Sequence, residues 1–187
     1  MTTSVFIDSG AWNVLFEQGI NLLIELPPEE FSLYITLEVY YELQAIPNMG
    51  KDGTSKVGLK HYIREALERS QIGTTATFGF YVRGAERQPY APFNQGTFQS
   101  ETDREWYLRK ETQDTLRNKA TRPSGLGAHV ADASLAVRAQ DSIILTTDTH
   151  GLLARAAEQG GKVVSLAGFN GKTISLRDFI MQSLEHS

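Results

Sequence analysis

Apolar residues in this chain fall into short runs, and several runs stop at a residue able to do chemistry. Ser4-Val5-Phe6-Ile7, within residues 3–7, predicts a strand that ends at Asp8. Ala11–Gln18 reads as a helix closed by Gly19, and Ile20–Leu26 as a short helix stopped by Pro27-Pro28. Leu33-Tyr34-Ile35 predicts a second strand. Thr36 is then an N-cap for a helix over Leu37–Ala45, which must end before Pro47. A Gly-rich polar loop follows over 48–55. Val57–Arg69 then repeats apolar residues at helical spacing, with Leu59, Tyr62, Ile63, Ala66 and Leu67 on one side.

The rhythm breaks over residues 71–100. Thr74–Val82 is rich in Thr, Phe and Tyr, Gly84–Pro89 is turn-like, and Tyr90–Phe98 is again aromatic and polar. This composition predicts a β-hairpin or irregular flap inserted into the domain. Glu101–Lys119 reads as a charged helix, and 122–127 as a loop. From His129 to His150 the chain becomes helical, with Val130, Leu135, Ala136 and Ala139 available to the core. It then turns into an apolar strand, Ser142–Leu145, ending in Thr146-Thr147-Asp148. A helix over Leu152–Gln159, a strand over Lys162–Leu166 and a helix over Leu176–Leu184 complete the pattern. Strands alternating with helices predict one α/β domain over 1–187, with a parallel, doubly wound sheet flanked by helices.

Composition fits that reading: 41% of residues are hydrophobic and 21% charged, as in globular domains. No apolar run approaches a membrane span and no leader pattern opens the chain, so the expectation is a cytoplasmic protein without a membrane partner. The absence of cysteine excludes disulfides, thiolate metal sites and Cys nucleophiles. The net charge of −4 conceals a split. Residues 51–122 carry 13 of the 18 Lys and Arg but 9 of the 22 acids, a net +4, against −8 for the remainder. Local charge, rather than the total, governs contact with phosphate.

The acids are the candidate chemistry. Asp8 and Asp148 follow strands, Asp132 opens a helix, and Glu38 and Glu42 share one face of the helix after the second strand. Open parallel sheets bind ligands beyond the carboxyl ends of their strands. Carboxylates brought together there repel and raise one another's pKa, and a divalent cation removes that penalty. Mg²⁺ and Mn²⁺ accept oxygen ligands, and such ions activate water and neutralise charge in phosphodiester cleavage.

In their order and local contexts, Asp8, the segment Ile35–Leu43, Asp132–Ala139 and Leu145–Asp148 resemble the four acidic motifs of PIN-domain nucleases. The middle of the chain does not match, and the interval from Glu42 to Asp132 is longer than in compact toxin members. The resemblance implies an Mg²⁺- or Mn²⁺-dependent endoribonuclease acting on RNA, built on a parallel sheet of about five strands, in a family of which many members are toxins of toxin–antitoxin pairs with an antitoxin partner. It makes Asp8, Glu42, Asp132 and Asp148 the catalytic and metal-site acids. Thr146 is the accompanying hydroxyl and Glu38 a helper.

Each residue also has an ordinary explanation. Asp8 and Asp132 could be helix-dipole partners, and Asp148 could cap the following helix. His129 and His150 are better read as satisfied histidines than as ligands of a hard cation. Arg109, Lys110 and Arg117 are candidate RNA contacts, yet with Arg104, Lys119 and Arg122 they interleave with Glu105, Glu111 and Asp114 as a solvated helix would. The aromatic set Phe78, Phe80, Tyr81, Tyr90, Phe93 and Phe98 could stack bases, or pack on the domain or a second subunit of a homodimer. Gly168–Thr173 lacks phosphate-loop spacing, because Leu occupies position 166. A catalytically inactive RNA- or protein-binding module is the alternative function. An aspartyl-nucleophile phosphohydrolase wants an acid two residues after the first, where Gly10 stands.

Overall fold

The structure, a computed structural model, describes residues 2–77, 96–97, 101–116, 120 and 122–185. Burial rises along the first strand, β1 (Thr3–Ile7), from an exposed Thr3 to buried Val5–Ile7. That pattern suits a central strand, and β1 lies between β2 (Phe31–Thr36) and β5 (Ile143–Thr146). The sheet continues through β3 (Gly73–Thr77) and the two-residue β4 (Gly96–Thr97) on one side, and β6 (Val163–Ser165) on the other. Among the described residues its order is β4-β3-β2-β1-β5-β6, with every pairing parallel.

Helices connect the strands as the apolar spacing requires. They are α1 (Ala11–Glu17), α2 (Leu22–Glu25), α3 (Leu37–Gln44), α4 (Val57–Arg69), α5 (Glu101–Leu108), α6 (Lys110–Leu116), α7 (Val130–Arg138), α8 (Gly151–Glu158) and α9 (Leu176–Glu185). Phe6 and Tyr34 stack on one sheet face, where the Arg138 guanidinium of α7 lies 5.3 Å above the Phe6 ring. Val5 and Ile7, alternating with Phe6, turn to the other face. Trp12 and Leu15 of α1 are fully buried, and Trp12 meets Tyr62 of α4 edge-on. Helix α7 is buried over Val130–Val137, so its small residues let it lie flat in the core.

The expected α/β class and parallel sheet are present. Two details differ. The single helix expected over 101–119 is broken at Arg109 into α5 and α6, so that Trp106 of α5 and both Thr112 and Leu116 of α6 are buried. Most of the expected flap over 71–100 lies outside the described residues, as does Arg117. At its described ends, Gly73–Thr77 joins the main sheet and Gly96–Thr97 pairs with it in parallel, so these pieces are not the arms of an antiparallel hairpin. No helix among the described residues is long and apolar enough to cross a membrane.

Strand order places the site. From β1 the chain steps outward through β2 to β3, and later returns to the other side of β1 through β5 to β6. The reversal falls between β1 and β5, where open α/β sheets form a crevice at their carboxyl edge. The opposite edge is closed by tight packing at the α8–β6 turn. Gly161 N–H donates to Ala156 O at 2.8 Å, and Lys162 N–H to Ala139 O at 2.7 Å. A Cβ at Gly161 would stand 2.7 Å from the Ala156 carbonyl oxygen and 2.9 Å from the Ala139 Cβ. Neither neighbour is a flexible side-chain end, so Gly161→Ala should destabilise the fold by about 2 kcal/mol, a fall in Tm of about 4–8 °C. Thermal melting measures this directly.

Candidate functional site

Asp8 leaves β1 at the switch point, and its N–H donates to Leu145 O of β5 at 2.9 Å. Its carboxylate is 5% exposed and held from both sides. Oδ1 accepts from Ser9 N–H at 2.7 Å, and Oδ2 accepts from the buried Thr146 hydroxyl at 2.9 Å. Thr146 Oγ1 in turn accepts from Asp148 N–H at 2.9 Å, which fixes the hydroxyl in the loop after β5. Burial pushes the Asp8 carboxyl up to about 6, and the charges of Asp132 and Glu42 push the same way. The Thr146 and Ser9 bonds oppose the rise.

Glu42 and Asp132 arrive from two helices. Thr36 ends β2 and caps α3, accepting from Val39 N–H at 3.3 Å, and this starts the helix that presents Glu42. Asp132 lies in the first turn of α7. His129 precedes that helix with φ +71°, a left-handed conformation uncommon for a side chain of its size. Its Nδ1 is 3.3 Å from Asp132 Oδ2, so the histidine is satisfied by the acid. Arg122 joins the two acids. Its Nη1 donates to Glu42 Oε1 at 2.5 Å, and its Nη2 lies 3.5 Å from Asp132 Oδ2. Partial burial works against the Arg122 charge, but Glu42, Asp132 and Asp8 more than offset it and hold its pKa above the ordinary value.

Asp8, Glu42 and Asp132 therefore share one electrostatic environment at the carboxyl edge of the sheet. Asp148 is placed differently. Its Oδ1 accepts from His150 N–H at 2.9 Å, a local turn bond ahead of α8. Glu38 lies deeper. It is 1% exposed, and burial pushes its carboxyl up while Arg138 and the Thr36 and Ser134 hydroxyls oppose this. The Ser134 hydroxyl donates to Thr36 Oγ1 at 3.0 Å, so Glu38 and these two hydroxyls join α3 to α7 beneath the site.

Among the basic candidates, Arg109 is exposed and hydrogen-bonds Gln159. Helix α8 starts beside Asp148 and runs to the opposite edge of the sheet, where Gln159 lies. Lys110 is also exposed, at the start of α6. Neither is brought to the acids. Lys56, which the sequence reading passed over, is nearer. It lines a pocket of about 280 Å³ with Ser9, Asn13, Glu42 and Arg122. A larger cleft of about 660 Å³ lies between α3 and α4, and none of the candidate acids lines it. Arg122 was legible only as one basic residue among several. Its place ten residues before Asp132, at the start of a Pro-Ser-Gly loop, gives no periodic signal.

The donor set is wholly carboxylate, which suits a hard cation rather than zinc or copper. Glu42 Oε2 is buried with no hydrogen-bond partner among the described residues, an oxygen available to a ligand. Among the described residues no group of three or more acids or histidines is gathered closely enough to hold an ion as it stands. Mg²⁺ commonly takes one or two protein carboxylates and fills its shell with water and substrate phosphate, so this arrangement remains compatible with it.

A raised carboxyl pKa means that the folded state favours the protonated acid. That contribution to stability is fully present below the unfolded value, here 3.8, and is lost as pH rises through about 6. In chelator, Asp8→Asn should be more stable than the parent at pH 7–8, by up to about 2 kcal/mol. The advantage should vanish below about pH 4. Denaturant melts across this range check both the sign and the window.

Comparison with protein-family models, with curated proteins and with solved structures gives no match to this chain.

Proposed function

We propose that this chain is a metal-dependent endoribonuclease that hydrolyses RNA phosphodiester bonds at the β1–β5 switch point. One observation carries the reading: Asp8, Glu42 and Asp132, far apart in sequence, enter a single electrostatic environment where a parallel sheet reverses its strand order. Such a concentration of buried carboxylates is costly to folding, and a divalent cation supplies the compensation. Asp8, Glu42 and Asp132 would hold Mg²⁺ or Mn²⁺, with Asp148 completing the site directly or through water. The bound ion would supply charge neutralisation at phosphate and activation of water.

The chain's own residues prepare that chemistry. Thr146 and Ser9 keep both Asp8 oxygens aimed while opposing protonation. His129 steadies Asp132. Lys56, in the pocket beside Glu42, is a cation that an RNA phosphate can meet on approach. The resemblance to PIN-domain toxins extends the proposal to a toxin role with an antitoxin partner, and the aromatic residues of the middle segment extend it to a homodimer.

A second reading has its own observation. Arg122 already pairs with both Glu42 and Asp132, as a site that binds RNA or protein without cutting would tolerate. Cleavage of single-stranded RNA separates the two. The nuclease reading expects turnover that requires Mg²⁺ or Mn²⁺, stops in chelator and falls about 100-fold or more in Asp132→Asn. Binding of RNA without turnover under any divalent ion favours the second reading. Placement also predicts which cations meet substrate. Lys56→Ala should weaken RNA binding and reduce the salt slope by about 0.7, the value of one single-strand phosphate contact, while Arg109→Ala should leave both unchanged. Affinity titrations at several salt concentrations decide this.

A further inference from the structure

We propose that Arg122 is a built-in counter-cation of the acidic site. Its guanidinium closes the site in the absence of a divalent ion and must leave Glu42 and Asp132 before the site is loaded. The inference rests on the metal-dependent reading above and adds a competition inside the chain.

The backbone that presents Arg122 is fixed. Its N–H donates to Leu126 O at 2.9 Å, and its carbonyl accepts from Gly125 N–H at 2.9 Å. Gly125 has φ +78°, a conformation that glycine adopts at little cost, and Leu126 and Ser124 are buried. The side chain is less constrained. It is 36% exposed, whereas those of Glu42 and Asp132 are 9% and 10% exposed. A rigid loop therefore holds a movable cation over two fixed, buried anions.

Its grip is divided. A guanidinium binds a carboxylate best as a fork, with two parallel hydrogen bonds to one partner. Here one nitrogen bonds Glu42 Oε1 and another reaches towards Asp132, while Glu42 Oε2 has no hydrogen-bond partner among the described residues. Three carboxylates against one guanidinium also leave negative charge uncompensated. A compact divalent ion would bring more charge to the same oxygens. The pocket beside Glu42, which Arg122 also lines, gives the displaced side chain space to turn.

The test is Mn²⁺ binding to the chelator-stripped full chain, followed by calorimetry and by the electron-spin signal of free Mn²⁺. Arg122→Gln should bind Mn²⁺ about tenfold more tightly than the parent, because a competing charge at contact distance has been removed. Without metal the variant should melt lower than the parent, and Mn²⁺ should raise its Tm by more. Arg177→Gln, which removes the same charge at the Glu30 pair, should bind Mn²⁺ as the parent does. Equal or weaker binding in Arg122→Gln would overturn the inference while leaving the metal site standing. No Mn²⁺ binding at millimolar concentration in either protein would remove the metal-dependent reading and this inference with it. A readout on the parent chain covers a variant that fails to fold. Titrating Mg²⁺ should shift the Arg122 Nε–Hε resonance and speed its exchange with water. A resonance that stays fixed while Mg²⁺ binds at the acids refutes displacement.

Discussion

Buried negative charge is the constraint around which this molecule is arranged. Asp8 is almost fully enclosed, and Glu42 and Asp132 have side chains about nine-tenths buried beside it. Apolar packing cannot stabilise such a group; it makes the charged state costlier. The compensation visible in the structure is local and specific: the Thr146 hydroxyl and Ser9 N–H for Asp8, and the Arg122 guanidinium for Glu42 and Asp132. Stability and chemistry are opposed here. The buried acids that would meet a cation on the proposed reading are the same groups whose mutual repulsion weakens the fold without one.

The sheet makes that opposition tolerable by keeping the acids on separate rigid supports. Asp8 follows β1, Glu42 rides on α3 and Asp132 opens α7. Thr36 links two of these supports. It caps α3 and also accepts the Ser134 hydroxyl from α7. A loss of that hydroxyl would therefore affect both the start of a helix and the angle at which Glu42 and Asp132 approach one another.

Much of the frame was readable from residue order. The strands ending at Asp8, Thr36 and Thr146 have strong β-formers bounded by polar residues, and Thr36 has the chemistry of a cap, so period and capping agree. Asp8 was legible at the carboxyl edge because it follows β1, whereas Glu42 and Asp132 arrive on helices, and residue order does not report which way those helices turn them. What escaped was set by tertiary contact. Arg122 lies in a loop, where no periodicity reports which way a side chain turns. Lys56 gains its place only because the start of α4 borders the same pocket as Glu42. The break at Arg109 was hidden because both halves have helical composition, and only the burial of Trp106 and Leu116 requires the bend. Asp148 is tied to Asp8 through Thr146, whose hydroxyl accepts the Asp148 N–H, while its own carboxylate accepts from His150 N–H, a local arrangement that counting acids by motif does not report.

The ends of the sheet have a consequence for the chain's behaviour in a crowded solution. Among the described residues, the outermost strands are β4, two residues long, and β6, three residues long. A strand edge exposes unpaired donors and acceptors, and a long flat edge is a template on which another chain can add. Here the longest strands, β1, β2 and β3, are interior; β1 and β2 have partners on both sides, and β4 covers β3 at Ala76 and Thr77. Among the described residues, the hydrogen-bonding edge left to recruit a second molecule is confined to short segments. While it remains folded, the chain is thereby shielded from edge-to-edge addition along its longest central strands, whatever the buried acids cost the fold.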